Sequence, residues 1–445
     1  MSVPDQLLVL GNGFDLQCGL ASSFLDFEEP RKNKISEIVK KHTSITHISL
    51  PATPSSNNEE VPKKSLFTDF RDAGITAWDP ILIADKQVRT WYDVEACIRD
   101  WLLNHPDGNK SSGKNELQAV RNQYAQFRQA ITEEAPHKDD DRFAALYNFA
   151  EDSAFNLSSV DEQVAKLLLK WYACDADDYS VMKAMMQELH HLEAAFSTHL
   201  KAQTEDNTGY LKGARHLLNK LLNDQLGNGE GNGDQNTIDG KLTKFDAINT
   251  PVQNARILDF NYTDPVYGLG NASSFLTNIH GNVHGGDIVF GIDSNSVDTN
   301  AVNYPELVKF TKTYRLMALG KGPKTSLVHP HVSGQPGRET DIIKFFGHSL
   351  GDPDYSYFQA IFDEVDLYGG DTRLIFYYNQ NRPNEEKGSE KSRNTTSKSA
   401  QEEMFEKVNR LITTYGQTLD NKDHGRNLMH KLLLENRLRV IQAPV

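Results

Sequence analysis

Four short runs in the 445-residue chain combine glycine with Asn, Asp, His or Ser in patterns that can do chemistry. The first is Leu10-Gly11-Asn12-Gly13-Phe14-Asp15, which joins an apolar run, Gln6 to Leu10, to a segment of helical potential, Phe14 to Phe27. A strand, a glycine turn and a helix start can cradle a phosphate. Glycines admit close backbone approach, and free N–H groups and the helix dipole favour the anion. Leu16 stands where the dinucleotide fingerprint needs a third glycine, so a tight structural turn competes with this reading. The second run is Asp259-Phe260-Asn261-Tyr262-Thr263-Asp264, after the strand-like Arg256 to Leu258. Polar groups at a strand's C-terminal end occupy the crevice where α/β sheets bind ligands, and an Asx turn is the plainer alternative.

The third run is Asn278-Ile279-His280-Gly281-Asn282-Val283-His284-Gly285-Gly286. A histidine in such a loop can serve as a general base or hold a sugar hydroxyl, or it can simply be exposed. Metal ligation by His280 and His284 is disfavoured, because the intervening glycines argue against the helix that would align them. The fourth run is Phe346-Gly347-His348-Ser349-Leu350-Gly351-Asp352-Pro353-Asp354. It suits phosphate or ribose contact, while Asp352 or Asp354 can equally be a helix N-cap. Gly347, Ser349 and Gly351 also fit the G-x-S-x-G nucleophile elbow, with only His424 and His430 downstream to complete a triad.

These runs need strands to position them. Short apolar segments at Arg256–Phe260, Asp287–Ile292, Ile342–Phe346 and Arg373–Tyr378 read as strands, with a helix at Tyr355–Val365 between the last two. A final helix, Glu402–Tyr415, and a strand, Leu438–Ile441, follow. The alternation implies an α/β fold with a parallel sheet, whose strand ends bring the polar loops to one crevice. Between them the pattern is helical. Trp91–Leu103, Leu117–Ile131 and Phe143–Tyr172 carry helical spacing, and Met182, Met185, Leu189, Leu192, Phe196 and Leu200 form one apolar stripe. Leu211, Leu218, Leu221 and Leu222 form another. Polar stretches at Arg31–Lys64, His105–Asn115 and Asn379–Gln401 read as surface excursions or loops, and the Gly/Asn run 227–234 as a flexible linker. The expected organisation is a sheet domain from residues 1–30 plus 242–445, an inserted helical domain at 66–226 and a linker at 227–241.

Composition narrows the classes. Lys plus Arg number 47 against 61 Asp plus Glu, a net charge of −14 that argues against broad nucleic-acid binding. No apolar run approaches the roughly 20 residues of a membrane span, and no apolar segment follows Met1, so neither membrane insertion nor a secretory signal is expected. Cys18, Cys97 and Cys174 are scattered, which fits a reducing cytoplasm and excludes a four-cysteine zinc site.

Leu8-Val9-Leu10-Gly11-Asn12-Gly13-Phe14-Asp15-Leu16, with Gly19-Leu20 and Ser22 to Phe27, resembles the opening signature of the bacteriophage abortive-infection AbiH family. Trp91-Tyr92-Asp93-Val94-Glu95, Phe260-Asn261-Tyr262-Thr263, Ile279-His280-Gly281 and Gly347-His348-Ser349-Leu350 with Asp354 resemble its later motifs in the same order. The same order is similar, more distantly, to the sirtuin-like fold. That likeness implies a Rossmann-like, sirtuin-like parallel sheet with a large helical insertion, and NAD as substrate or ligand with no metal. By it, Gly11 and Gly13 hold pyrophosphate, with Asn12, Phe14 and Asp15 beside them. Gly347 and Ser349 contact the adenosine side, with His348 and Asp354 nearby. Asn261 and Asp264 line the nicotinamide ribose, and His280 is the base. Asp15 departs from the usual small polar residue, and the zinc cysteines of the deacetylases are absent, which leaves water as the acceptor. The implied function is anti-phage abortive infection through NAD hydrolysis to nicotinamide and ADP-ribose. A non-catalytic nucleotide sensor and a serine hydrolase or nuclease-type toxin stand as alternatives. A phage-derived trigger and a homo-oligomer are the partners this implies.

Overall fold

The computed structural model describes residues 4–43, 66–84, 88–103, 181–205, 207–224, 255–267, 275–301, 304–320, 326–330, 339–379, 399–420 and 424–444. The expected helices at Leu117–Ile131 and Phe143–Tyr172, the loop His105–Asn115, the Gly/Asn linker and most of Asn379–Gln401 lie outside these residues. The chain divides into two compact units, one of Met1–Ser22, Ser197–Val289 and Lys312–Val445, the other of Ser23–Phe196 and Phe290–Thr311.

The first unit is built on a parallel sheet. β1 (Gln6–Leu10) lies between β2 (Ala255–Asp259) and β6 (Ile342–Phe346). Outside these lie β3 (Leu276–Asn278) on one side, and β7 (Arg373–Tyr378) and then β8 (Leu438–Gln442) on the other. Every neighbouring pair is parallel, and the register sets Leu10 opposite both Asp259 and Phe346. The C-terminal ends therefore share one edge, and the strand order reverses between β1 and β6. β1 is buried along its whole length because apolar layers cover both faces. Leu7 and Val9 pack with Ile343, Phe345 and Phe376 under α10 (Tyr355–Glu364), α11 (Ala400–Thr418) and α12 (Leu428–Leu434). Leu8 and Leu10 pack with Ile257, Ile342 and Phe346 under α7 (Thr208–Asn223). On that second face the buried Lys344 donates to Leu221 O at 2.7 Å and Gln6 Oε1 at 2.8 Å, so a cation caps the last carbonyls of α7.

Three expected elements differ. The single helix Phe14–Phe27 is two, α1 (Gly13–Gln17) and α2 (Phe24–Thr43). The break comes at Gly19, whose φ is +81°, and at Ser23, which exchanges capping hydrogen bonds with Asp26. α2 then runs through Arg31 to Thr43, where a polar excursion was expected. Phe24, Phe27, Arg31 and Ile35 recur at helical spacing on its buried face, Arg31 being buried because its guanidinium is paired. Asp287–Ile292 does not join the six-stranded sheet, and only its first two residues form a strand. β5 (Asp287–Ile288) pairs antiparallel with β4 (Gly281–Asn282) across the Gly285-Gly286 turn, and the three-residue β3 takes the sheet edge instead.

The second unit contains α2, α3 (Leu66–Asp72), α4 (Trp78–Ala84), α5 (Trp91–Leu103) and α8 (Tyr304–Leu307), with the N-terminal part of α6 (Val181–Thr204). Its core gathers Trp91 against Phe24, Phe27, Phe196 and Phe290, the stripe on α6 supplying Phe196. Arg31 makes two 2.6 Å bonds to Asp79 and one of 2.7 Å to Gly74 O, while Asp79 also accepts from Thr76. No helix among the described residues is long and apolar enough to cross a membrane.

Candidate functional site

The turns that follow β1 and β6 mesh backbone on backbone at the point where the strand order reverses. Gly11 N donates to Phe346 O at 3.0 Å and Gly13 N to Gly347 O at 2.8 Å. A side chain on Gly13 would meet Gly347 Cα at 2.7 Å, and one on Gly347, whose φ is +73°, would meet Phe14 N at 2.4 Å. Glycine is needed here because two backbone segments touch. The Phe14 amide is likewise committed, to Gly11 O at 2.8 Å. Asn12 turns to Ser22, whose hydroxyl donates to its Oδ1 at 2.7 Å.

Beneath this turn lies an acidic cluster. Asp15, on α1 and 1 % exposed, accepts 2.7 Å bonds from Tyr210 Oη of α7 and from Thr263 Oγ1. Asp259, at the end of β2 and fully buried, accepts from the Asn261 amide at 2.9 Å. Asn261 Nδ2 donates to Gly11 O at 3.1 Å and Asn278 Nδ2 to Thr263 O at 2.7 Å, so the ends of β1, β2 and β3 are stitched together. Burial pushes the Asp15 carboxyl up to about 6 against the pull of Thr263 and Tyr210. Burial and the neighbouring Asp15 raise Asp259 well above the usual carboxylate range.

A second cluster follows β3 and β6. His280 is 2 % exposed, and its Nε2 has no hydrogen-bond partner among the described residues. Asp354 Oδ1 lies 3.7 Å from it. Asp354 stands in the short turn before α10, with Lys312 Nζ of α9 (Lys312–Ala318) at 2.6 Å from Oδ1 and His348 Nε2 at 3.4 Å from Oδ2. His348 Nδ1 accepts the Leu350 amide at 2.9 Å, which assigns the ring hydrogen to Nε2. Phe260 lies edge-on to both imidazoles, 5.4 Å from His280 and 4.5 Å from His348, and Tyr357 is 5.7 Å from His280. Burial, then the Lys312 charge, lower the His280 pKa to about 3 despite the pull of Asp354, so the ring is neutral at physiological pH. Burial works to raise Asp354, but Lys312 and the two histidines outweigh it and hold the carboxyl well below its ordinary range.

His280, His348 and Asp354 thus come together, as do Gly11, Gly13, Phe14 and Gly347, with Asn261 and Asp15 beneath. Asp264 is engaged elsewhere. It accepts the Val266 amide at 3.0 Å, burial raises its pKa, and the charges it senses are His284 and Arg215. His284 stacks on Tyr267 at 3.7 Å, apart from His280. Ser349 is half-buried, and the left-handed residues of its turn are Gly347 and Leu350, so the serine does not carry the strain of a nucleophile elbow. Lys312 and Tyr210 were not expected in either cluster, because each acts across 42 and 195 residues of sequence respectively. Among the described residues no group of three or more His, Cys, Asp or Glu is arranged to hold a metal.

No curated protein and no solved structure matches the chain. A family model, bacteriophage abortive infection AbiH, matches residues 7–378, a span that includes both clusters and every strand of the sheet but the last. With most of its length covered and its polar clusters inside the match, the chain belongs to the bacteriophage abortive infection AbiH family.

Proposed function

We propose that this abortive-infection protein binds NAD, or a related nucleotide, at the β1–β6 edge and hydrolyses it to nicotinamide and ADP-ribose. The observation that carries the reading is His280, a buried neutral imidazole with an unpartnered Nε2 at the sheet edge where the glycine turns meet. The strand order β3-β2-β1-β6-β7-β8 supports it, since a parallel sheet whose order reverses between β1 and β6 offers the kind of crevice in which α/β sheets bind ligands. In the reaction the bond between ribose C1′ and the nicotinamide nitrogen breaks, and its electron pair leaves with nicotinamide. Water forms the new bond to C1′, and its proton passes to His280 Nε2. Asn261 holds the glycine turn through Gly11 O, and its buried position suits it to fix that water or a ribose hydroxyl. Gly13 N–H is committed to Gly347 O, so a pyrophosphate reaches it only by displacing that contact. That commitment favours a second reading, nucleotide sensing without turnover.

One experiment separates the two. The purified full chain is incubated with NAD over a range of protein concentrations, and nicotinamide is quantified by chromatography. Release that falls at least about 100-fold in His280→Gln, with an unchanged circular dichroism spectrum, supports hydrolysis. Thermal protection by NAD that stays intact supports sensing. Neither release nor protection at millimolar NAD overturns both.

A further inference from the structure

The charged group beside His280 deepens the proposed hydrolysis and rests on that reading for its catalytic meaning. Three elements face the imidazole with titratable groups. Lys312 comes from α9, Asp354 from the turn before α10 and His348 from the turn after β6, and the rings of Tyr262 and Tyr357 lie within 6.4 Å. Asp354 is the pivot. One oxygen is 2.6 Å from Lys312 Nζ and 3.7 Å from His280 Nε2, and the other is 3.4 Å from His348 Nε2. A buried carboxylate beside two imidazoles draws a proton onto one of them unless a cation already satisfies it. His348 is poorly placed to accept, because protonating its Nδ1 breaks the bond from the Leu350 amide. His280, with its Nε2 unbonded, is the ring that would respond.

We propose that Lys312 is a positioning residue. By holding the Asp354 carboxylate it keeps that carboxylate from stabilising a protonated His280, and so leaves His280 Nε2 open to take a proton from the attacking water. The residue does not touch the reacting atoms in this scheme and acts through Asp354.

The test titrates His280 directly, by imidazole NMR on the full chain, in wild type, Lys312→Arg and Lys312→Met, with His280→Gln to assign the signal. Wild-type His280 stays neutral down to about pH 4, and Lys312→Arg keeps it so. Lys312→Met raises its proton affinity more than tenfold and carries the acid limb of any nicotinamide-release profile upward with it. An ordinary wild-type titration near pH 6.5 overturns the inference, as does an unshifted His280 in folded Lys312→Met. Should Lys312→Met not fold, wild type and Lys312→Arg decide it, since loss of the depressed titration in folded Lys312→Arg also overturns it. The titration needs no turnover. If His280 shifts as expected while no nicotinamide is released, the hydrolytic reading fails and the control of His280 by Lys312 stands.

Discussion

Asp15 and Asp354 follow the ends of β1 and β6 at one edge of one sheet, both largely out of water, and their protons are governed in opposite directions. Among the described residues Asp15 has only neutral donors, Tyr210 and Thr263, and a second acid, Asp259, for a neighbour. Two hydrogen bonds do not offset the loss of hydration, so it drifts toward the protonated form. Asp354 suffers the same desolvation but has a lysine cation at 2.6 Å, which reverses the outcome. The difference separates a cluster that holds strand ends together from one that controls a histidine. In the acidic cluster the bonds close on protein atoms, whereas the other leaves His280 Nε2 open.

The largest expected effect breaks the Asp354 side. Asp354→Ala deprives the buried Lys312 of its carboxylate, and removing one member of a buried pair costs about 3–5 kcal/mol. Urea unfolding should show a lower midpoint with an unchanged slope. A loss below about 1 kcal/mol would place the pair among exposed ion pairs and erase the contrast.

The next effect sharpens the Asp15 side through pH. The folded-state pKa of Asp15 lies above its unfolded value, so the folded chain binds the proton more tightly. Its contribution to stability is therefore full below about pH 4 and is lost as pH rises to about 6. Asp15→Asn removes that slope, and the stability difference between wild type and variant should change by at most about 3 kcal/mol across the window. Asp354, whose folded pKa is depressed, contributes in the opposite sense, its stabilisation being present above the unfolded carboxylate range and lost on acidification. Equal pH slopes in wild type and Asp15→Asn would show that Asp15 does not titrate there.

The two clusters were unequally legible in the sequence. The core strands were readable because a central parallel strand is apolar on both faces, as in Leu7 to Leu10, and His280 was singled out by the glycine that bends the chain after it. β3 was missed because three half-buried residues carry no periodicity, and Asp287–Ile292 was over-read because an apolar run does not reveal that a Gly-Gly turn folds it back. The rest of α2, from Arg31 on, was lost to its polar composition, since Arg31 counts as a surface residue until Asp79 is seen beside it. Lys312 gave no local signal. Its meaning comes from Asp354, 42 residues on, and tertiary pairing of that kind is invisible to spacing rules.

The smallest effect probes the hydrogen bonds that only partly compensate Asp15. Tyr210→Phe removes one of its two hydroxyl donors and leaves the ring among the buried apolar residues of α7. A bond to an ionised carboxylate contributes about 1.5–3 kcal/mol, and one to a neutral partner about 0.5–1.5 kcal/mol. The cost of the variant should therefore be about 1 kcal/mol at pH 5, where Asp15 is largely protonated, and nearer 2 kcal/mol at pH 8, where it is ionised. Thermal unfolding at the two pH values measures both. A cost that is the same at both means that Asp15 keeps one protonation state throughout. If that state is the ionised one, the acidic cluster differs from that around Asp354 in geometry alone and not in how it handles its proton.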